Sequence, residues 1–339
     1  MRFAPLVLLL LLAAPLRAAA WEPPCVADDP LSEAAAALLL EGAPVDGAAL
    51  TRAARDAGSD ALVVHALVVR LEEEARVRAW LEALAASSDA PITCGVARND
   101  ARVLVLATAR GGALAATLGA DAQSVGLTLA PGFSAPRLVV LDARGALHDV
   151  AIERGAARAE LPSDAPRPLL VQLVATGAAG PRPVAERSVG GRGPVLGASA
   201  PSAAPLAERL RSARLDAHVP AVRAHRLLAL AAAEQARAVC ASGRVSHVLA
   251  PGASPEERFA ALGIRARFVG EALGRATDVD AAWAALLGSP SHRAALLDAR
   301  FTDAGAGLAT DAQGRTCVAV ALAAWPRLVP PPRVRSASR

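Results

Sequence analysis

The first apolar signal beyond residue 27 has the helical period. Leu31 to Leu40 is rich in Ala and Leu, with Ser32 placed to cap it. Asp46 precedes a second stretch, Gly47 to Arg55, which Gly58 ends. Ala61 to Leu84 predicts a longer helix. Leu62, His65, Ala66 and Val69 share one face, Val77, Trp80, Leu81 and Leu84 follow, and Glu72, Glu73 and Glu74 form a solvated patch between them. On this reading Trp80 is core and His65 is a packed histidine rather than a ligand.

After Cys94 the period shortens. Val103 to Leu106 is a continuous β-rich run, Ser124 to Ala130 alternates, and Arg137 to Asp142 ends in the turn Ala143-Arg144-Gly145. Pro168 to Thr176 is a further strand, and Gly177 to Pro181 turns it into Val184 to Val189. Short strands separated by Gly and Pro turns predict an antiparallel β-sandwich. His148, beside Asp149, is its one candidate for chemistry, and alone it reads as a surface residue.

Gly190 to Pro205 has linker composition. Beyond it, Leu206 to Leu215 predicts a helix, and Pro220 opens a second through Val239, ending near Cys240 and Gly243. Ser254-Pro255-Glu256-Glu257 is a capping box with Pro at the first helical position, and Gly263 stops that helix. Arg265 to Leu273 reads as a strand that contains Gly270-Glu271, where a carboxylate needs partners if buried. Asp278 caps Val279 to Leu287, with Trp283 and Leu286 facing the core. Ser289-Pro290-Ser291-His292 repeats the capping pattern and puts His292 at a helix N-terminus, which disfavours imidazolium. Gly305 to Ala309 and Arg315 to Ala323 predict a hairpin across Asp311-Ala312-Gln313-Gly314. The tail after Trp325 is Pro-rich.

Composition sets the compartment. Arg2, the short apolar run Leu6 to Ala14 and Ala18-Ala19-Ala20 have the layout of a signal peptide over residues 1–20. The run is too short to span a bilayer, so no membrane-spanning segment is expected. The 339 residues carry a net charge of +4, and their basic residues are all Arg. Removal of Arg2 and Arg17 leaves +2, which argues against an electrostatic nucleic-acid binder. The Ala, Gly, Leu and Arg bias is that of a GC-rich, bacterial genome. The 4 Cys are Cys25, Cys94, Cys240 and Cys317. They lack CxxC-like clustering, and in an oxidising compartment disulfides are the default. Of three connectivities, closure of each domain on itself gives Cys25–Cys94 and Cys240–Cys317.

The ordered set Ser246-His247, Glu257-Arg258-Phe259, Gly263, Gly270-Glu271, Trp283, Ser289-Pro290-Ser291-His292-Arg293, Leu296-Leu297 and Phe301-Thr302-Asp303-Ala304-Gly305-Ala306-Gly307 resembles the CAP superfamily. This superfamily, also called SCP, comprises the cysteine-rich secretory, antigen 5 and pathogenesis-related proteins, and the likeness is to its compact bacterial branch. It covers about the last third of the chain. The resemblance implies an α-β-α sandwich and a cleft with two His and two Glu, which hold a divalent metal in some members. Carried over by motif, His247, Glu271 and His292 match three of those positions. The usual Asn after the Glu is Ala272 and the second Glu is Leu286, so only His-Glu-His remains. Three such ligands plus water would suit zinc or another divalent cation. The same three would equally form a hydrogen-bonded polar cluster.

The expected fold is thus two-domain: an N-terminal helical segment plus antiparallel β-sandwich over residues 21–189, a linker at 190–205, a CAP-like α-β-α sandwich over 206–325, and a tail at 326–339. The expected function is a secreted, periplasmic or cell-envelope protein that binds a lipid-like ligand, an envelope component or an extracellular protein. In it Glu271, His247 and His292 orient the ligand's polar end. The alternatives are a metal-assisted hydrolase of esters or peptides and an envelope adhesion module in which the cluster only holds the fold. No nucleophile elbow surrounds Ser246, and Ser289 is explained as a cap.

Overall fold

A computed structural model describes residues 25–42, 47–116, 123–153, 155–178, 180–191 and 204–325. Residues 1–20, expected to be a signal peptide, the tail at 326–339 and all but the ends of the linker lie outside these residues.

The first group comprises β1 (Val26–Ala27), α1 (Asp29–Glu41), α2 (Gly47–Asp56), β2 (His65–Arg70), α3 (Glu74–Ala86), β3 (Ile92–Arg98) and β4 (Arg102–Ala109). Its sheet has the order β1-β3-β4-β2. The continuous apolar run in β4 has a simple cause: Leu104 and Leu106 pack with α1 and α2, while Val103, Val105 and Ala107 pack with α3. A strand covered on both faces needs no polar alternation. The long helix expected over Ala61 to Leu84 is not formed. His65–Arg70 is instead an edge strand paired antiparallel with β4, and Glu73 turns the chain by accepting from the Arg70 backbone N–H. His65 is exposed, not packed. Asp28, not Ser32, caps α1 by accepting from the Leu31 N–H.

The second group comprises β5 (Gly112–Ala116), β6 (Ser124–Leu129), β7 (Ser134–Leu141), β8 (Leu147–Val150), β9 (Arg158–Glu160), β10 (Leu169–Gly177) and β11 (Gly180–Val189). Two antiparallel sheets, β11-β10-β7-β8 and β5-β6-β9, close over one core that contains Leu114, Val125, Leu138, Leu169 and Val171. The expected sandwich therefore starts after Val103 to Leu106, which belongs to the preceding sheet. The larger sheet is buried on its other face too: Val139 and Leu141 on β7 and Leu170, Gln172 and Val174 on β10 are all buried.

The third group comprises α4 (Leu206–Asp216), β12 (Arg223–Ala224), α5 (Arg226–Ser242), α6 (Pro255–Ala261), β13 (Phe268–Ala276), α7 (Val279–Gly288), α8 (Pro290–Leu297), β14 (Asp303–Thr310) and β15 (Thr316–Ala324). The sheet order is β12-β14-β15-β13. Alternation along the central strand β15 feeds two layers. Val318, Val320 and Leu322 pack with Leu210, Trp283, Leu286 and Leu296 of α4, α7 and α8. Cys317, Ala319, Ala321 and Ala323 pack with Leu228, Ala232, Val239 and Phe259 of α5 and α6. The capping box of α6 and the Asp278 cap of α7 form as the sequence predicts. α5 starts at Arg226 rather than Pro220, because Arg223–Ala224 pair with β14 and the His225 ring accepts from the Leu228 N–H. The strand expected at Arg265 to Leu273 is shifted to Phe268–Ala276, in register with β15. Gly305 and Gly307 are required by contact: a Cβ there would stand 2.0 Å from Ala229 N and 2.3 Å from Ala233 N of α5.

Arg214 is fully buried and donates to the carbonyls of Pro220, Leu296, Asp298 and Phe301. It thereby ties α4 to the C-terminal end of α8. The Cys25–Cys94 and Cys240–Cys317 pairs are both formed. Among the described residues no helix is long and apolar enough to cross a membrane.

Candidate functional site

His247 follows α5 on a loop held by side chains. Gln235 of α5 donates to the Ser246 carbonyl at 2.8 Å, and the Ser246 hydroxyl donates to the Val248 carbonyl at 2.7 Å. This fixes the His247 ring against β13, where Nδ1 lies 2.8 Å from Oε1 of Glu271. The Glu271 side chain is only 1% exposed. Its second oxygen accepts from Nη2 of Arg258 on α6, and the same guanidinium donates to the His247 carbonyl at 2.7 Å. A buried carboxylate is tolerable only with such partners. Glu271 thus has the partners that its position in a strand demands, and Arg258 is one of them. Within the sequence Arg258 stands out only as a member of the ordered set, with no role attached. The capping box immediately before it, which aims α6 at the strand, is the signal that places it.

His292 is the third residue of α8. Its Nδ1 lies 2.9 Å from the Ser289 hydroxyl. Burial, with the positive potential of nearby His247 second, lowers its pKa to about 4, so it is neutral at ordinary pH. Ser289 precedes α8, but its side chain makes no capping bond. Its hydroxyl instead faces His292 and the Gln172 carboxamide of β10. The expected capping role is therefore wrong, and the reason is the competing side chains.

The structure thus gathers His247 and Glu271 directly and sets His292 within electrostatic reach of His247. It does not bring His148 near them. That ring pairs with Asp142 at 3.1 Å and pins the turn after β7. Leu286, where the resemblance implies a second Glu, is buried in the apolar layer with Trp283.

The arrangement does not fit a zinc ion. Both oxygens of Glu271 are already engaged, one of them by a guanidinium, so the carboxylate is not free to serve as the third ligand. Among the described residues no group of three His, Cys, Asp or Glu side chains is placed to hold a metal. Nor is the cluster an open cleft. α8 lies across β7 and β10. A Cβ on Gly180, at the start of β11, would stand 3.5 Å from Cβ of His247. Two surface clefts, of about 580 and about 550 Å³, lie elsewhere; neither is lined by His247, Glu271 or His292.

No family model matches the chain, and no curated protein does. Several solved structures are distantly similar. An outer surface protein of Borrelia burgdorferi is 19% identical, over 36% of this chain and 90% of that one, with a TM-score of 0.34. An extracellular protein containing an SCP domain, from Bacillus anthracis, is 16% identical, over 45% of this chain and 57% of that one, with a TM-score of 0.33. A cysteine-rich secretory protein from Staphylococcus aureus is 10% identical, over 68% of this chain and 84% of that one, with a TM-score of 0.29. Each is a distant likeness that carries no residue's role across to this chain.

Proposed function

We propose that the chain is an exported binding protein whose His247–Glu271–His292 cluster receives the polar end of an amphipathic, lipid-like ligand from the cell envelope. The observation that carries this reading is the preformed polar cluster. Glu271 is neutralised in place by Arg258, and the neutral His292 lies within electrostatic reach of His247. Such a cluster is rigid, and it has no net demand for a counter-ion. It suits recognition, in which a few placed polar groups orient a mainly apolar ligand. The two disulfides agree with an oxidising compartment.

A hydrolase reading draws on one distance, the 2.9 Å between the Ser289 hydroxyl and His292. Two features oppose it. An imidazole with a pKa of about 4 is a weak base for activating an alcohol. The Ser291 N–H, a backbone donor two residues after Ser289, is taken by Gln172 at 2.9 Å.

Titration of the full chain with a fluorescent anthroyloxy-stearate tests both readings. Saturable binding is expected, lost in His247→Ala and kept in His148→Ala. Absence of binding in the parent would overturn the proposal. Turnover of p-nitrophenyl acetate that disappears in Ser289→Ala would replace it with the hydrolase.

A further inference from the structure

The outer face of the β11-β10-β7-β8 sheet is an unusual surface. On it Val139 and Leu141 of β7 and Leu170 and Val174 of β10 are apolar and buried, and Gln172 among them is buried but polar. Gln172 reaches out of β10 to the start of α8. Its Oε1 accepts from the Ser291 N–H at 2.9 Å and lies 3.3 Å from the Ser289 hydroxyl; its Nε2 lies 3.2 Å from that hydroxyl. The same Nε2 donates to Oε2 of Glu186 on β11 at 2.9 Å. Glu186 is itself buried, and its other oxygen accepts from Arg55 of α2. The Gln172 carboxamide is therefore aimed, not merely enclosed. It places a carbonyl oxygen on the first turn of α8, one residue from His292, where a ligand's carbonyl or carboxylate oxygen would find the same donors. At the far end of β10 the turn into β11 brings Gly180 against His247, with Val248 Cγ2 3.7 Å from a Cβ placed there.

We propose that this sheet is an intramolecular cover over the His247–Glu271–His292 cluster, latched by Gln172 on the start of α8, and that a ligand enters by displacing it. The proposal rests on the reading of the cluster as a binding site. The closed state also leaves two buried polar atoms of α8, Ser291 Oγ and Arg293 Nε, without a hydrogen-bond partner among the described residues. An unpaired buried polar group costs free energy, so a polar ligand head that reached these two atoms would supply partners that the closed state lacks. The natural displacer is an acyl or carboxylate head, which offers Ser289 and Ser291 the oxygen that Gln172 now supplies.

Diethylpyrocarbonate labelling of the full chain, read at each of its 6 His by mass spectrometry, tests the cover without any ligand. His247 and His292 should label more slowly than the exposed His65 and His218. Gln172→Ala should raise both slow rates by about tenfold, the scale of losing one or two net hydrogen bonds. Ser289→Ala, which undoes the latch from the other side, should raise His247, a ring that touches neither residue. His148 reports general unfolding and should stay constant. Equal labelling of cluster and exposed histidines in the parent, or no rise in either variant, would overturn the cover. The anthroyloxy-stearate titration then separates the two readings. Tighter binding by Gln172→Ala supports both. Opening without binding keeps the cover and sinks the lipid ligand.

Discussion

His292 carries its charge state in its surroundings. Burial disfavours imidazolium, nearby His247 adds to that, and its pKa falls from 6.5 to about 4. Because the folded value lies below the unfolded one, the unfolded chain binds the extra proton between these limits. The contribution to stability is complete above pH 6.5 and is lost as pH falls from 6.5 to about 4. At full size it is on the order of 3 kcal/mol, since a tenfold change in proton affinity corresponds to about 1.4 kcal/mol. Urea midpoints measured from pH 7.5 to 4 should fall across that window in the parent and fall much less in His292→Leu. An equal slope in both would show that the ring is solvated. The neighbouring residues are unequally legible in the sequence. The motif order points to His247, Glu271 and His292. It misleads at Ser289, because the Ser-Pro start of a helix is the same text whether or not the hydroxyl caps it. Gln172 is invisible, since one Gln in an apolar strand gives no clue to a partner more than a hundred residues away.

Among elements, α5 on β14 is the tightest contact described. Gly305 and Gly307 let the helix backbone lie on the strand, with no space for a methyl group. Gly305→Ala should destabilise the protein by about 2 kcal/mol, within the range for overpacking. Thermal unfolding beside Gly314→Ala, where a Cβ meets open space but φ is +76°, would separate crowding from backbone strain. A shift in Gly305→Ala no larger than in Gly314→Ala would count against crowding. Helix starts are readable where the cap is local, as at Ser254 and Asp278. The β2 strand is not. Leu62, Ala66 and Val69 fall at helical spacing by coincidence, and what makes His65–Arg70 a strand is the edge of β4, which lies over thirty residues on. The start of α5 is hidden for the same reason: Arg223 and Ala224 answer to β14, not to Pro220.

At the scale of the molecule, the two cross-links tie the two ends of the described chain. Cys240–Cys317 encloses a separation of 77 residues and Cys25–Cys94 one of 69. Loop-closure entropy alone makes each worth about 4 kcal/mol. Cys240→Ala/Cys317→Ala should lower the unfolding free energy extrapolated from urea titration by that amount, and no change would mean that the layers on β15 hold without the bond. Between these cross-linked regions the double-faced sheet has no covalent tie. Its second face, with Val139, Leu141, Leu170 and Val174 around Gln172 and Glu186, is finished only by its neighbours. The chain therefore cannot be treated as a string of interchangeable modules. Cut on either side of the sandwich, it would yield fragments with a bare apolar stripe and a stranded carboxylate, a surface of the kind that drives self-association. Any shortened form for crystallisation or display must keep both partners of that face or repaint it.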